Sequence, residues 1–314
     1  LEYTVYAWDL SVRSAHLDTT HAFFNGSSVF LAVSEQEEQP VAVQINLPAG
    51  DAFAHWRVAT TLARKDTPLF APGTYYAQDY DELIDHPVEM GDFSEAQFDV
   101  HGTPHHIIIT GRHQCDMSRL CADVQKICAT HAAMFGELPA MERYMFLLTV
   151  VGEGYGGLEH RSSTALICNR KDLPLKTSNK QSDDYVILLG LFSHEYFHTW
   201  NVKRIKPAEF LPYDLTRESH TRLLWAFEGI TSYYDDLALV RSGVIEDKKY
   251  LELLGKNLTR VLRGSGRFKQ SLRESSFDAW TKFYKQDENA SNAIVSYYAK
   301  GALFALALDL KLRA

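Results

Sequence analysis

The chain has 314 residues, 46% of them apolar, and carries 32 Lys and Arg against 40 Asp and Glu, a formal net charge of -8. That length can bury a sizeable core and suits two domains rather than one. The acidic balance, with Lys203, Arg204 and Lys206 as the one compact basic cluster, argues against a nucleic-acid partner.

No run reaches the ~18 consecutive apolar residues that cross a bilayer. The longest, 185–192 and 302–308, are too short, so no membrane span is expected.

From Leu1 to about Gly111, short alternating or β-branched runs predict strands over 3–12, 29–33, 41–47, 56–62, 98–100 and 106–110. Phe24-Asn25-Gly26-Ser27, Pro48-Ala49-Gly50-Asp51 and Pro72-Gly73-Thr74 supply the turns between them. This part reads as all-β, a sandwich or curved sheet. His101, His105, His106 and His113 cluster here. A strand beginning at His105 sends it and His106 to opposite faces, so surface histidines at a loop end are expected rather than a second metal site.

The four cysteines, Cys115, Cys121, Cys128 and Cys168, lack CxxC spacing and the density of a disulfide scaffold. Cys121 and Cys128 share a helix face about two turns apart, too far for a disulfide. Reduced, buried cysteines are expected, which favours a cytoplasmic setting. The chain opens on Leu1 within strand-like sequence, so an export signal would lie upstream, and the sequence is expected to be trimmed at both ends.

Near Asp116 the hydrophobic period changes. Asp116 caps a predicted helix through Leu120, Val124, Ile127 and His131 to about Phe135, with Gly136 as its stop. A second domain is expected from here, dividing the chain into 1–114 and 115–314.

The apolar strand 143–151 leads into Gly152-Glu153-Gly154-Tyr155-Gly156-Gly157, a match to GxGxxG with Asp172 twenty residues beyond Gly152. A dinucleotide fold needs a helix directly after those glycines; 158–169 reads instead as an edge strand, which rejects that fold. The glycines are expected to let substrate backbone approach. The polar stretch 169–184, with Pro174, Ser178, Asn179 and Ser182, reads as a loop, and Asp183 or Asp184 caps the next helix. Later helices are predicted from near Thr221 to Gly243, over 248–262, and from Ala293 to the end.

At the end of the apolar run 185–192, read as a buried helix, stands SHEYFHTW. His194 and His198, four apart, project from one helix face and can share a divalent ion. Glu195 points beside that face, where a carboxylate can deprotonate a bound water. A catalytic zinc needs three protein ligands and an open position. Glu228 is the leading third candidate, set among Leu224, Trp225, Ala226, Phe227 and Ile230, where an unpaired carboxylate would be costly. Glu218, Asp235 and Asp236 are its rivals.

HEYFHTWNVKRIKP followed by LLWAFEGITSYYDDL, with YTVYAWDLSVRSAHLD near the start and YYAKGALFALALDL at the end, resembles the glycyl aminopeptidase family of zinc metallopeptidases, relatives of aminopeptidase N. The likeness covers nearly the whole chain. It implies a multidomain α+β protein, an N-terminal all-β domain ahead of a thermolysin-like, mainly α-helical catalytic domain. It also implies one Zn2+ per chain held by His194, His198 and Glu228, with Glu195 as general base.

Gly156-Gly157-Leu158-Glu159-His160 stands where the wider clan has its GAMEN segment. The resemblance therefore gives Glu159 the substrate α-amine and sets Gly156 and Gly157 along the substrate backbone; His160 departs from the clan's Asn. Tyr298-Ala299-Lys300-Gly301 resembles the YxKG element whose tyrosine stabilises the tetrahedral intermediate, with Tyr297 as rival if the register slips. The family usually continues into a PDZ domain, which this sequence is expected to lack.

The implied function is a zinc aminopeptidase acting on peptides with a free N-terminus and a small first residue such as Gly or Ala. A thermolysin-type endopeptidase, which would not need Glu159, and an inactive peptide-binding scaffold are the alternatives.

Overall fold

Strand order and pairing define the first part of the chain. In the computed structural model the strands are β1 (Ala15–Leu17), β2 (His21–Phe24), β3 (Val41–Ile45), β4 (Arg57–Ala59), β5 (Ala63–Arg64), β6 (Gly73–Ala77), β7 (Val88–Gly91), β8 (Ser94–Val100), β9 (Thr103–Thr110), β10 (Tyr144–Val151), β11 (Gly156–Glu159) and β12 (Ser163–Asn169). The structure describes residues 1–178 and 180–314; Asn179, part of the expected loop, lies outside them. The helices are α1 (Tyr80–Ile84), α2 (Met117–Phe135), α3 (Asp183–Phe197), α4 (Ile230–Arg241), α5 (Asp247–Arg263), α6 (Leu272–Phe277), α7 (Ala290–Ala293) and α8 (Tyr297–Arg313). An N-terminal β region thus precedes a helical one, as a multidomain α+β peptidase fold requires.

The chain divides into two units, Leu1–Gln125 with Leu138–Leu188, and Lys126–Glu137 with Leu189–Ala314. In the first, β1-β2-β7-β4 and β3-β6-β5 form two antiparallel sheets, and β11-β12-β10-β9-β8 a mixed one. Trp56, Val58, Leu62, Tyr75, Leu83 and Val88 fill one core. Phe23, Ala59, Phe93, Ile108, Met145, Leu147 and Ala165 fill another, packing β2 and β4 on β9, β10 and β12. β10 runs parallel to both β9 and β12. Its unbroken apolar sequence is what a strand covered on both faces needs.

The predicted α2 forms with Leu120, Val124, Ile127 and Cys128 fully buried. Asp116 accepts from the Arg119 N–H, and Gly136 takes the left-handed conformation (φ 76°) that ends the helix. All four cysteines are free and buried.

Several expectations are corrected. No strand forms over 3–12 beyond a bridge from Trp8 to His16; Tyr6 and Trp8 are exposed, so alternation there has no sheet to bury against. Residues 29–33 follow a 3-10 turn at Gly26–Ser28 and pair with nothing in a sheet. Gly73 and Thr74, expected as turn, open β6. His105 and His106 are interior, their Nδ1 atoms hydrogen-bonded to the Thr103 carbonyl and to Glu95, each at 2.9 Å. The edge strand expected over 158–169 is two strands: β11, which begins on Gly156 and Gly157 where a dinucleotide fold would open a helix, lies at the sheet edge, and β12 lies inside the sheet. The cap of α3 is Ser182, whose Oγ accepts from the Tyr185 N–H (3.1 Å), while Asp183 and Asp184 occupy the first turn.

In the second unit, α8 packs on α4 through Tyr233, Ala302 and Ala305. The stretch Ala290–Arg313, longer than the apolar run 302–308 within it, is long and apolar enough to cross a membrane by length and composition only. Counting unbroken apolar runs undervalued its alanines, which interleave with polar residues. The helix breaks at 294–296, and α8 buries Tyr297, Ala299, Gly301, Ala302 and Ala305.

Candidate metal centre

α3 ends at Phe197, yet the His198 N–H still donates to the His194 carbonyl (3.3 Å), so helical geometry reaches the second histidine. The two rings stand 4.8 Å apart between centroids and nearly perpendicular. Ahead of α4, Trp225–Gly229 winds as a π-helical turn carrying Glu228. Its Oε2 lies 3.1 Å from His194 Nε2 and 3.3 Å from His198 Nε2.

Two imidazole nitrogens and one carboxylate oxygen, all within 4.8 Å of one another, form a donor set that fits a divalent metal ion. The His194 and Glu228 side chains remain 14% and 18% exposed, so the set is not sealed from solvent. Glu195 is buried, with a carboxylate oxygen within 4.8 Å of a His198 ring nitrogen.

The far sides of both rings are fixed. His194 Nδ1–H donates to Asp235 Oδ2 (2.9 Å), and His198 Nδ1–H to the Asn201 carbonyl (2.8 Å). With Nδ1 of each ring engaged on its far side, Nε2 is the atom that faces Glu228 and the one each imidazole would offer a metal ion. Asn201 Nδ2 in turn donates to the Ala226 and Phe227 carbonyls at 3.1 and 3.3 Å. A π turn disturbs the α-helical hydrogen-bond ladder, and turns of this type recur at functional sites. Asn201 therefore ties the segment after α3 to the turn that bears Glu228. Behind them, Ser193 Oγ donates to the Asp235 carbonyl and accepts from His131, whose pKa burial pushes down to about 3.

Burial works against an imidazolium at His194, but its hydrogen bonds to Asp235 and Glu228 outweigh it and raise the pKa well above the usual value. Burial likewise opposes a Glu228 carboxylate, yet the two histidines hold it below the usual range. Both shifts have the same source, the close pairing of the histidines with Glu228 and Asp235. Asp236, pushed up to about 8 by burial and by neighbouring Asp235, adds little negative charge near neutrality.

Tyr298 arrives through a close crossing. A Cβ at Gly301 would sit 2.8 Å from the Gly229 Cα, and one at Gly229 would sit 2.6 Å from the Gly301 Cα, so only glycines permit the approach of α8. Ser296 caps α8, and the Tyr298 ring lies 6.1 Å from that of His194. Its hydroxyl bonds that of Tyr284 at 3.0 Å. Burial, then the charge of Glu228, raises its pKa well above the usual value and keeps it a proton donor. Tyr297 is fully buried and both tyrosine rings pack on Phe283, but the ring found beside His194 is that of Tyr298.

Of the rival ligands, Asp235 takes the other nitrogen of His194, and Glu218 lies in the irregular stretch before α4, 3.5 Å from His220. Gly156, Gly157 and Glu159 lie on β11 in the first unit, paired with Ile167, Leu166 and Thr164. His160 is buried with Nδ1 3.1 Å from Asp85, and Arg161 bridges Asp85 and Asp81 at 2.9 Å each, which anchors that end of the strand to the α1 region.

Sequence reasoning missed Asn201, Tyr284 and the orienting role of Asp235. Only the last left a sequence signal, being seven residues, about two turns, beyond Glu228.

The family model for M61 glycyl aminopeptidase matches residues 187–304, which include His194, Glu195, His198, Glu228 and Tyr298; that for the peptidase M61 N-terminal domain matches 1–92. No curated protein matches the chain. A solved structure described as an aminopeptidase N family protein from Idiomarina loihiensis is similar at 52% identity and a TM-score of 0.96, over 98% of this chain and 52% of that one. The chain therefore spans about half the length of that solved relative.

Proposed function

The chain belongs to the M61 glycyl aminopeptidase family, and on that premise we propose that it is a zinc-dependent aminopeptidase that releases small N-terminal residues such as Gly or Ala from peptides. The observation that carries this reading is the convergence of His194 Nε2, His198 Nε2 and Glu228 Oε2, at 3.1 and 3.3 Å, beside the buried Glu195.

Zinc held by these three residues would supply Lewis-acid activation of water and of the scissile carbonyl. Glu195 accepts the proton of the attacking water and passes it to the leaving amine. The Tyr298 hydroxyl donates to the oxyanion that develops at the carbonyl. Asp235 and the Asn201 carbonyl keep both imidazoles aimed during the reaction. Glu159, assigned by the likeness of its segment to the clan's amine-binding motif, pairs with the substrate ammonium, and Gly156 and Gly157 run along the substrate backbone. A charge-assisted contact to the free amine restricts cleavage to the first peptide bond.

The test is hydrolysis of glycyl and alanyl anilides by protein of measured zinc content, beside N-acetylated substrates and the Glu195→Gln variant. Turnover of free-amine substrates alone, dependent on zinc and Glu195, is expected. Cleavage of blocked peptides at the same rate would point to an endopeptidase. Zinc and peptide binding without any turnover would favour an inactive scaffold, and no zinc bound by His194, His198 and Glu228 would sink the proposal.

A further inference from the structure

The β1–β2 hairpin carries His16-Leu17-Asp18-Thr19-Thr20-His21. The Asp18 N–H donates to the His21 carbonyl (3.1 Å) around a two-residue turn, and Leu17 pairs with Ala22. Side chains alternate along a strand and directly opposed residues share a face, so His16, Asp18 and His21 all lie on one face of the hairpin.

There, His16 Nδ1 stands 3.2 Å from His21 Nε2, and a carboxylate oxygen of Asp18 completes a set of ligand atoms within 4.8 Å of one another. Two imidazole nitrogens each bound to one tetrahedral zinc would be roughly 3.3 Å apart, from bond lengths of ~2.0–2.1 Å. The two histidines are only 7% and 5% exposed.

The surroundings are built as well. His21 Nδ1 lies 3.1 Å from Oε1 of Glu89 on β7, a carboxylate that is 2% exposed and also accepts from Thr110 Oγ1 at 2.9 Å. A carboxylate that holds Nδ1–H leaves the Nε2 lone pair facing the cluster, the usual support of a metal-ligating histidine. Asp18 Oδ1 accepts from Thr20 N and Oγ1, both at 2.7 Å, and from His21 N at 3.1 Å, so its carboxylate is fixed in place by the turn.

We propose that His16 Nδ1, His21 Nε2 and Asp18 form a second site, for a zinc-class divalent transition-metal ion, in the N-terminal β region. Two imidazoles and a carboxylate are the ligand chemistry such ions take. The ion would cross-link the two strands of the hairpin and, through Glu89, brace them on β7, a structural role. The competing account is a hydrogen bond alone, with one proton shared by the two rings.

Zinc titration by calorimetry, with metal analysis after dialysis, separates the two on the full chain. Two zinc ions per chain are expected for the parent, one for a His194→Ala/His198→Ala variant, and one for a His16→Gln/His21→Gln variant. In the His194→Ala/His198→Ala background, zinc should raise Tm, because an ion bound to the native state stabilises it. Glu89→Gln in that background should weaken the remaining site by about 10–100-fold. One zinc in the parent and none in the His194→Ala/His198→Ala variant would overturn the proposal. If His16→Gln/His21→Gln fails to fold, His16→Gln alone in the same background decides it: zinc retained at unchanged affinity refutes the site.

Discussion

The helix-borne His194, His198 and Glu228 and the hairpin-borne His16, Asp18 and His21 offer the same donors, two imidazoles and a carboxylate. In each, a carboxylate holds the Nδ1 of one histidine, Asp235 for His194 and Glu89 for His21. Their settings differ. The helix set is partly open and has a buried carboxylate, Glu195, and a phenol, Tyr298, beside it. In the hairpin set the two histidines are buried, and the set is bordered by the Trp8 ring and a tight threonine turn. Donor type decides whether an ion can be held, whereas access and neighbouring proton-transfer groups decide whether it can do chemistry.

The largest break in this comparison should come from Glu195→Gln. Turnover is expected to fall by about 10²–10⁴-fold, the usual worth of a positioned acid–base group, with zinc content unchanged; loss of zinc alongside activity would make Glu195 a ligand instead. Tyr298→Phe should lower kcat by about 10²–10³-fold with little change in KM, as for loss of one oxyanion donor. Tyr297→Phe should leave kcat within a few-fold of the parent, and the reverse pattern would move the role to Tyr297.

Asp235→Asn should weaken zinc at the helix site by about 10–100-fold while sparing the hairpin site, read by calorimetry in a His16→Gln/His21→Gln background and its converse. Equal weakening at both would mean a global effect. Gly301→Ala should cost about 1–3 kcal/mol by overpacking against Gly229. Gly156→Ala, where an added Cβ meets no atom within 4 Å, should stay within about 0.5 kcal/mol. Thermal melts of the two variants check the contrast, and an undisturbed Gly301→Ala would show that the helix crossing can relax.

Legibility followed the range of the interactions involved. α2 was readable from its cap, apolar stripe and stop glycine, and β10 from an unbroken apolar run, because these are local. The stretch 3–12 alternates as convincingly as any strand yet meets β1 only through the single bridge of Trp8 to His16, whereas β1, β2 and β7, each of three or four residues, exist through their partners. His105 and His106 looked like surface residues because nothing local reveals that Thr103 and Glu95 satisfy them in the interior.

By itself the sequence determined two imidazoles on one helix face with a carboxylate beside them, since four-residue spacing in a helix fixes direction without reference to the rest of the chain. It also singled out Glu228, through the cost of an unpaired charge among apolar neighbours. Tertiary structure alone decided that Glu228 meets both histidines, because its turn is π-helical and is tied by Asn201 across an irregular stretch no spacing rule spans. It decided the place of Tyr298 through the backbone contact of Gly229 with Gly301. It likewise gathered His16, Asp18 and His21, whose shared face depends on a strand register set by pairing rather than by order along the chain.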